Sequence, residues 1–412
     1  MTAREAKREF DVVVWGATGF TGALVASYLA RRYGPAGDLR WAIAGRNKDK
    51  LTALRASLGD AAEALPILTA DSGDRAALAA MAARTRVVLT TVGPYALHGS
   101  PLVSACVETG TDYCDLAGEV PWIRQMIDEH HEHARETGAR IVHCCGFDSI
   151  PMDMGVWFLQ QAAHERFGEY CSSVATFVKA AKGTFSGGTL ASMANMIEQS
   201  RKDRHFARIL VEPYSLNPPA ERKGPDGRDQ QKVLYDDLAG AWTAPFVMAG
   251  INTKVVRRSH ALAGFPWGRD FRYREAVITG RGPTGWLSGS AVTLGLGAFV
   301  VGMTLKPSRQ FMQRFFLPDP GEGPSPEMQQ KGFFRLEQVG TTRDGREIRT
   351  RVTGDQDPGY GSTSKMLSES AVCLAMDKLD TPGGVLTPSA AMAAPLLERL
   401  RNNAGLTFDV VD

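Results

Sequence analysis

The sequence has 412 residues, of which 43% are hydrophobic and 22% charged, with 47 basic against 45 acidic side chains. This composition is typical of a globular protein of more than one domain, and a formal net charge of +2 gives no reason to expect a nucleic-acid partner. The six cysteines form no C-x-x-C pair, which argues against a zinc site and suits free thiols in a reducing cytosol. Residues 1–9 are charged and lack the apolar run of a signal peptide, so a cytoplasmic location is expected.

The first 150 residues alternate short apolar segments with helical patterns. Strands are predicted at 11–15, 41–44, 65–69, 87–91, 112–116 and 141–145. Helices are predicted between them, at 20–32, 48–58, 75–84, 101–108 and 120–137. Strands that alternate with helices of this length predict an α/β Rossmann domain over residues 1–150, with a doubly wound parallel sheet and right-handed crossovers.

The pattern changes after Pro151, and a second domain is predicted over residues 151–360. Its predicted elements are a helix at 152–167, a strand at 271–279, and a hairpin of strands 333–339 and 347–353 around Asp344-Gly345. Apolar and basic residues alternate in the second hairpin strand, which predicts an antiparallel sheet with one wet face and hence an α+β domain. Segments 217–232 and 318–331 are predicted to be exposed loops. Residues 361–412 are predicted to form a helical segment that packs back on the Rossmann domain.

Residues 282–305 form an unusual segment because they contain no charge between Arg281 and Lys306. The segment is long enough to cross a bilayer, although its glycines and hydroxyl side chains dilute its hydrophobicity. Three interpretations remain open: a buried or loop-helix segment of the second domain, a surface helix that docks on a membrane or a lipid-carrying partner, and a true span. The docking interpretation would place the protein at the inner face of the plasma membrane.

The strongest functional signal is the glycine-rich turn of residues 16–22, which follows the first predicted strand and opens the first predicted helix. Gly16 permits a tight turn, Gly19 lets a pyrophosphate approach the backbone, and Gly22 lets helix and strand pack closely. The free N–H groups and the positive dipole end of the helix suit phosphate. The turn therefore predicts a dinucleotide site, which we assign to Gly16, Ala17, Thr18, Gly19, Phe20 and Gly22.

The end of the second predicted strand bears on the choice between NAD and NADP. An NAD site usually has an acid here that binds the ribose 2′-hydroxyl, whereas this chain has Gly45 and Arg46. A guanidinium suits the 2′-phosphate, so these two residues favour NADPH; the alternative is that Arg46 is an ordinary solvated side chain beside Lys48. Asp71, just after the third strand, either meets the adenine amino group or caps the next helix.

Residues 90–95 (Thr-Thr-Val-Gly-Pro-Tyr) follow the fourth predicted strand. In a doubly wound sheet this loop lies at the carboxyl edge, near the middle or the nicotinamide end of the cofactor. We therefore predict that Val92, Gly93 and Pro94 contact the cofactor. Tyr95 is either a catalytic proton donor or a packing aromatic.

Further candidate side chains follow the fifth and sixth strands. Asp148 is either a substrate-positioning catalytic carboxylate or a helix N-cap, and Asp115 and Glu119 at the same edge are equally ambiguous. The chain has no Tyr-x-x-x-Lys pair and no G-x-S-x-G elbow, so short-chain dehydrogenase and hydrolase chemistry of those types are not expected. The histidines of residues 130–133 lie on a predicted polar helix, and no metal site is expected.

These motifs resemble those of the saccharopine dehydrogenase-like oxidoreductases. The segments that mark the wider family are 16–22, 44–46, 90–95, 110–119 and 146–151. The segments that are similar to the mycobacterial trans-acting enoyl reductases in particular are 186–189, 252–253, 256–259, 271–273 and 384–392. The resemblance therefore covers nearly the whole chain.

The resemblance implies an NADPH-dependent enoyl reductase that reduces a carbon–carbon double bond in a polyketide-derived lipid intermediate, in phthiocerol-type lipid biosynthesis. Such an enzyme acts in trans to a synthase, so the implied partner is an acyl chain on a carrier protein or synthase. The chain departs from the family at residues 95–99 (Tyr-Ala-Leu-His-Gly), where relatives have a Tyr-Thr-Arg-Tyr-Gly-like stretch, which implies a different pocket near the nicotinamide. The alternatives are a saccharopine dehydrogenase-like reductase of another small substrate and a non-catalytic, lipid-associated NADP-binding protein. The oligomeric state is left open.

Overall fold

A computed structural model describes residues 8–35, 37–183, 187–304 and 323–411. The chain divides into two compact units. The first unit comprises Met1–Phe147, Gly321–Gly323 and Gly359–Ala404. The second comprises Asp148–Pro320, Pro324–Pro358 and Gly405–Asp412.

The first unit contains a seven-stranded sheet in which every pair of neighbouring strands is parallel. Its strands are β1 (Phe10–Trp15), β2 (Trp41–Gly45), β3 (Ile67–Thr69), β4 (Thr85–Thr90), β5 (Asp112–Cys114), β6 (Arg140–Val142) and β13 (Gly384–Leu386). The strand order is β13-β6-β5-β4-β1-β2-β3. Both neighbours of β1 are thus strands of this unit, and the chain reverses its winding direction between β1 and β4.

Helices connect these strands and cover the sheet. They are α1 (Phe20–Tyr33), α2 (Lys48–Ser57), α3 (Arg75–Ala82), α4 (Tyr95–His98), α5 (Ser100–Thr109) and α6 (Val120–Thr137), with α13 (Gly361–Met376) and α14 (Pro388–Asn403) from the C-terminal part. Strand β1 is buried along its whole length, as a central strand covered on both faces must be. The predicted Rossmann fold is confirmed.

The C-terminal helices are tied to α1 by a buried carboxylate. Glu369 on α13 accepts hydrogen bonds from the hydroxyls of Tyr28 at 2.7 Å and Tyr33 at 2.6 Å. Its other oxygen accepts from Asn403 Nδ2 at 3.0 Å. Because a buried carboxylate without donors would cost several kcal/mol, this arrangement specifies how α13 and α14 pack in the first unit.

The second unit is built on a mixed seven-stranded sheet in the order β14-β12-β11-β7-β10-β9-β8. Its strands are β7 (Ser173–Lys182), β8 (Leu234–Asp236), β9 (Ala241–Ala244), β10 (Arg272–Gly280), β11 (Phe333–Thr341), β12 (Glu347–Gly354) and β14 (Leu406–Val411). Its helices are α7 (Ile150–Phe167), α8 (Gly187–Lys202), α9 (Arg204–Val211), α10 (Ala249–Leu262), α11 (Gly282–Thr304) and α12 (Pro326–Gln330). The predicted hairpin is present as β11 and β12, and Ile348 and Val352 face the core.

Three predictions for this unit and for the C-terminal tail need correction. The sheet is not purely antiparallel, since β7 and β10 pair in parallel; the connection between them carries three helices and is long enough for such a crossover. The predicted loop 318–331 contains α12, where Ser325 accepts a hydrogen bond from the Met328 N–H at 3.3 Å and Pro326 suits the first turn, while 318–322 lie outside the described residues. The tail is not helical throughout, because β13 joins the first sheet and β14 pairs with β12.

Candidate cofactor and active site

The glycine-rich turn between β1 and α1 has the tight geometry that its sequence predicts. Gly16 has φ of +80°, in the region that favours glycine. A Cβ atom at Gly22 would lie 2.2 Å from the carbonyl oxygen of Gly16, so only glycine permits this approach of α1 to the end of β1. Ala17 is buried beneath the turn, while Thr18 and Gly19 are exposed and the ring of Phe20 packs edge-on against Tyr360 at 4.7 Å.

The N-terminus of α1 is open to an anion. Its N-cap residue is Gly19, so no side chain caps the first turn, and no acidic residue lies in that turn. By contrast, Asn47 caps α2 and Asp74 caps α3, each by accepting a hydrogen bond from a backbone N–H. Among the described residues, a Cβ at Gly19 would meet only the Gly16 carbonyl oxygen, at 3.4 Å. Uncapped N–H groups at the positive end of a helix dipole, in open space, fit the pyrophosphate of a dinucleotide.

Arg46 follows β2, which pairs with β1, and Asp71 follows β3, the next strand beyond β2. The parallel register of these strands brings their carboxyl ends to one edge of the sheet. Arg46 is exposed, and its guanidinium forms no hydrogen bond or ion pair with any residue in the described part of the chain, so it is available to a phosphate. The side chain of Asp71 accepts a hydrogen bond from Gly73 N at 2.9 Å. The cap of α3 is Asp74, so the interpretation of Asp71 as that cap is wrong; its adenine contact stays a prediction.

The loop after β4 packs directly on the glycine-rich turn. The Thr91 N–H donates to Trp15 O at 3.2 Å, and the Thr91 hydroxyl donates to Gly16 O at 3.3 Å. A Cβ at Gly16 would lie 2.4 Å from Cγ2 of Val92. The predicted cofactor contacts at 92–94 therefore lie beside Gly16 at the point where the strand order reverses, which is where open α/β sheets bind their ligands.

Tyr95 is a buried side chain with its polar groups already bonded. Its hydroxyl donates to Thr90 O at 3.2 Å, and its ring stacks on Trp122 with a centroid separation of 5.4 Å. The buried carboxylate of Glu119 accepts from the backbone N–H of Tyr95 at 2.7 Å and of Ala96 at 3.0 Å. The geometry favours the packing interpretation of Tyr95 and a positioning role for Glu119 on this loop. A catalytic role for Tyr95 stays a prediction.

Asp115 and His143 form a buried pair that sequence analysis missed. His143 Nδ1 lies 2.7 Å from Asp115 Oδ2, which also accepts from the Tyr113 hydroxyl at 2.9 Å. The backbone N–H groups of Ala117 and Cys144 donate to Oδ1 at 3.0 and 3.2 Å. Four donors thus satisfy a carboxylate that has no access to water, and Nδ1 of His143 must carry a proton because a carboxylate can only accept.

The reason that His143 was missed is a strand boundary. The predicted strand 141–145 put this side chain inside the sheet, whereas β6 ends at Val142 and Cys144 has a positive φ of 64°. His143 is a polar residue directly after the apolar strand residues Ile141 and Val142, and this pattern could have indicated that the strand ends before it. His143 Nε2 is buried and has no hydrogen-bond partner among the described residues.

Asp148 opens the second unit but does not cap α7. The N-cap of α7 is Ser149, so the N-cap interpretation of Asp148 is wrong. The Ser149 hydroxyl donates to Asn252 Oδ1 at 3.1 Å on α10. Asp148 is half-buried, and its catalytic role stays a prediction.

The hydrogen-bonded chain continues from Ser149 to a buried carboxyl group. Asn252 Nδ2 donates to Glu275 Oε2 at 3.0 Å, and the Tyr273 hydroxyl donates to Glu275 Oε1 at 2.8 Å. Burial raises the pKa of Glu275 to about 8, while the hydrogen bonds from Asn252 and Tyr273 lower it less. The second unit therefore holds a carboxyl that keeps its proton near neutral pH, linked through neutral groups to the start of α7.

Residues 12–142 match the family described as the saccharopine dehydrogenase NADP binding domain. The chain is 44% identical over 404 residues to a provisionally named trans-acting enoyl reductase of Mycobacterium tuberculosis, covering 95% of this chain and 96% of the relative. It is 40% identical over 406 residues to the trans-acting enoyl reductase of Mycobacterium leprae, with 96% of each chain covered. A solved structure of apo saccharopine dehydrogenase (L-Glu forming) from Saccharomyces cerevisiae shares the fold, with a TM-score of 0.52 at 14% identity over 97% of this chain and 99% of that chain.

The match to an NADP binding domain shows that NADPH is the cofactor of this protein. The chain belongs to the saccharopine dehydrogenase-like oxidoreductase family, in the group of the trans-acting enoyl reductases. The predicted family and cofactor are thereby confirmed.

Proposed function

We propose that this protein is an NADPH-dependent enoyl reductase that saturates a carbon–carbon double bond in a polyketide-derived lipid intermediate. The observation that carries the proposal is the identity of 40–44% along 95–96% of the chain with proteins named trans-acting enoyl reductases. The substrate would be an acyl chain held on a carrier protein or a synthase that lacks this step. Phthiocerol-type lipid biosynthesis is the pathway we propose for it.

Different residues of the first unit would bind different parts of the cofactor. The open first turn of α1 would bind the pyrophosphate, and Gly19 leaves the space that this approach needs. Arg46 would pair with the 2′-phosphate through charge-assisted hydrogen bonds. Residues 92–94, of which Val92 packs on Gly16, would border the nicotinamide end of the site. Bound NADPH supplies a hydride to the β-carbon of the enoyl group.

Enoyl reduction also requires stabilisation of the enolate oxygen and a proton for the α-carbon. We propose that Asp148 or Tyr95 takes part in the transfer of this proton to the α-carbon. Asp148 is half-buried and is not the N-cap of α7, and the Tyr95 hydroxyl donates to Thr90 O.

The test is an assay of NADPH oxidation with enoyl thioesters of increasing chain length, with mass spectrometry of the product. We expect NADPH consumption and a saturated acyl thioester, with longer chains preferred. NADPH binding without turnover would favour the non-catalytic alternative. Turnover only with small amino-acid or imine substrates would favour the saccharopine dehydrogenase-like alternative.

Gly19→Asp is the variant that tests the phosphate site. An aspartate at this N-cap position can accept the first-turn N–H hydrogen bonds, so the fold should be kept or slightly stabilised. The same carboxylate occupies the phosphate position and repels it, so NADPH binding and turnover should both be lost. Unchanged turnover in this variant would contradict the assignment of the cradle.

A further inference from the structure

Helix α11 carries an exposed apolar face that the reductase function does not use. Within the described residues, Gly282–Met303 is a helix long and apolar enough to cross a membrane by length and composition. Trp286, Leu287 and Leu294 are exposed by 48%, 59% and 74%. A helix of a soluble core would bury such side chains, so this helix belongs to the second unit as one interpretation expected but is not a buried segment of it.

One side of α11 is attached to the sheet of the second unit. A Cβ at Gly285 would lie 2.4 Å from the backbone of Gly280, and one at Gly289 would lie 2.9 Å from the Thr279 hydroxyl. The Thr279 hydroxyl also donates to Gly285 O at 2.9 Å. Because Gly285 and Gly289 pack on β10, α11 lies against the unit along the side that carries these two glycines.

The opposite side of α11 forms a continuous apolar face, which we define by Trp286, Leu287, Ala291, Leu294 and Ala298. These residues recur at helical spacing and are all exposed. From Trp286 to Ala298 the face extends about 18 Å along the helix axis. Within this span, Cβ atoms at Gly295 and Gly297 would meet no described residue within 4 Å.

The charges that flank this face in the sequence have a single sign. Between Glu275 and Asp319 the sequence has no acidic residue and has four basic ones, namely Arg281, Lys306, Arg309 and Arg314. Arg281 is exposed directly before α11, and the other three follow in sequence, outside the described residues. An uncharged apolar segment that basic residues flank in the sequence is typical of a helix that binds a surface with anionic headgroups above an apolar interior.

We propose that the apolar face of α11 docks the protein on the surface of an anionic phospholipid bilayer, with the helix parallel to the membrane plane. Trp286 suits the headgroup boundary and the leucines the acyl region below it. A transmembrane orientation is not proposed, because the Gly285–Gly289 side is packed on β10. This inference goes beyond the proposed reductase function and does not depend on it.

The test is flotation of the full-length protein with vesicles of phosphatidylcholine alone and of phosphatidylcholine mixed with phosphatidylglycerol. We expect binding to the anionic vesicles, weakened by high salt because surface charges are screened. The variant Leu287→Ser with Leu294→Ser should reduce binding by about tenfold or more. The control variant Val211→Ser with Val410→Ser removes comparably exposed apolar side chains elsewhere in the second unit and should bind as the unchanged protein does.

A second measurement tests whether Trp286 contacts the lipid, and it uses the wild-type protein. Lipids brominated on their acyl chains should quench tryptophan fluorescence in the wild-type protein, and this quenching should be lost in Trp286→Phe. Absence of vesicle binding, or equal binding by the α11 variant, would overturn the proposal. So would a dimer in sedimentation velocity that the α11 variant converts to monomer, since a second copy would then cover this face. No NADPH or enoyl substrate is present in these experiments, so their failure is distinct from failure of the reductase assay.

Discussion

Gly16 and Val92 lie so close that a methyl group on Gly16 would stand 2.4 Å from the Val92 Cγ2 atom. This contact joins the turn after β1 to the loop after β4, across the point where the sheet reverses its winding. Both segments are predicted to border the cofactor. The position of the loop after β4 therefore depends on the absence of a side chain at Gly16.

The first prediction concerns this contact. Gly16→Ala should destabilise the protein by about 1–3 kcal/mol through overpacking, in addition to the strain of a positive φ. Gly59→Ala is the matched control, because Gly59 has φ of +95° and a Cβ there would meet nothing within 4 Å. Thermal unfolding of both variants separates the stability lost through overpacking from the stability lost through the strain of a positive φ. Equal losses in the two variants would show that the Val92 contact does not matter.

The second prediction concerns cofactor choice. Arg46→Ala should weaken NADPH binding by about 1.5–3 kcal/mol and leave NADH binding nearly unchanged, since only NADPH carries the 2′-phosphate. Thermal-shift titration with each cofactor measures both effects. Lys48→Ala removes a neighbouring exposed cation and should have little effect on the ratio. A small, equal change for NADPH and NADH in Arg46→Ala would contradict the assignment.

The third prediction separates the two roles of Tyr95. Tyr95→Phe removes the hydrogen bond to Thr90 O and should cost about 1 kcal/mol of stability. Because the ring still stacks on Trp122, we expect kcat to remain within about threefold of the wild-type value. Steady-state kinetics at saturating NADPH provide the measurement. A fall of about a hundredfold or more, with stability little changed, would instead identify Tyr95 as the proton donor.

The fourth prediction is a pH dependence of stability. Because the pKa of Glu275 is raised from 4.5 to about 8 in the folded protein, folding favours the protonated carboxyl. The resulting contribution is fully present below pH 4.5 and is lost as the pH rises to about 8, by on the order of 1 kcal/mol per pH unit. Glu275→Gln is neutral at every pH, so its stability relative to wild type should rise across this range.

Chemical denaturation at several pH values measures this difference. Glu347→Gln, at an exposed carboxyl on β12, is the control for loss of a carboxyl outside the core. Burial lowers the pKa of Lys254 to about 8, which changes the stability with pH in the opposite direction to Glu275. Comparison of Glu275→Gln with wild type at each pH removes this contribution, because both proteins contain Lys254. A constant difference between Glu275→Gln and wild type would contradict a raised pKa.

The parts of the site that the sequence predicted are local in the chain. The turn at 16–22 could be recognised because the positive φ of Gly16 and the close approach at Gly22 each require glycine. Arg46 could be placed because it directly follows a strand whose neighbour is β1. The pairing of Asp115 with His143 could not be predicted, since it depends on where β6 ends and on side chains 28 residues apart.

By itself, the sequence determined the Rossmann domain, its phosphate cradle and the preference for NADPH, because these follow from short-range periodicity and from residue types within single turns. Only the tertiary structure decided which strands the tail joins, since β13 and β14 pair with strands distant in sequence. It also decided that Asp74 rather than Asp71 caps α3, and that α11 exposes its apolar face. Composition cannot separate a buried apolar helix from an exposed one, because burial depends on which other elements pack against it.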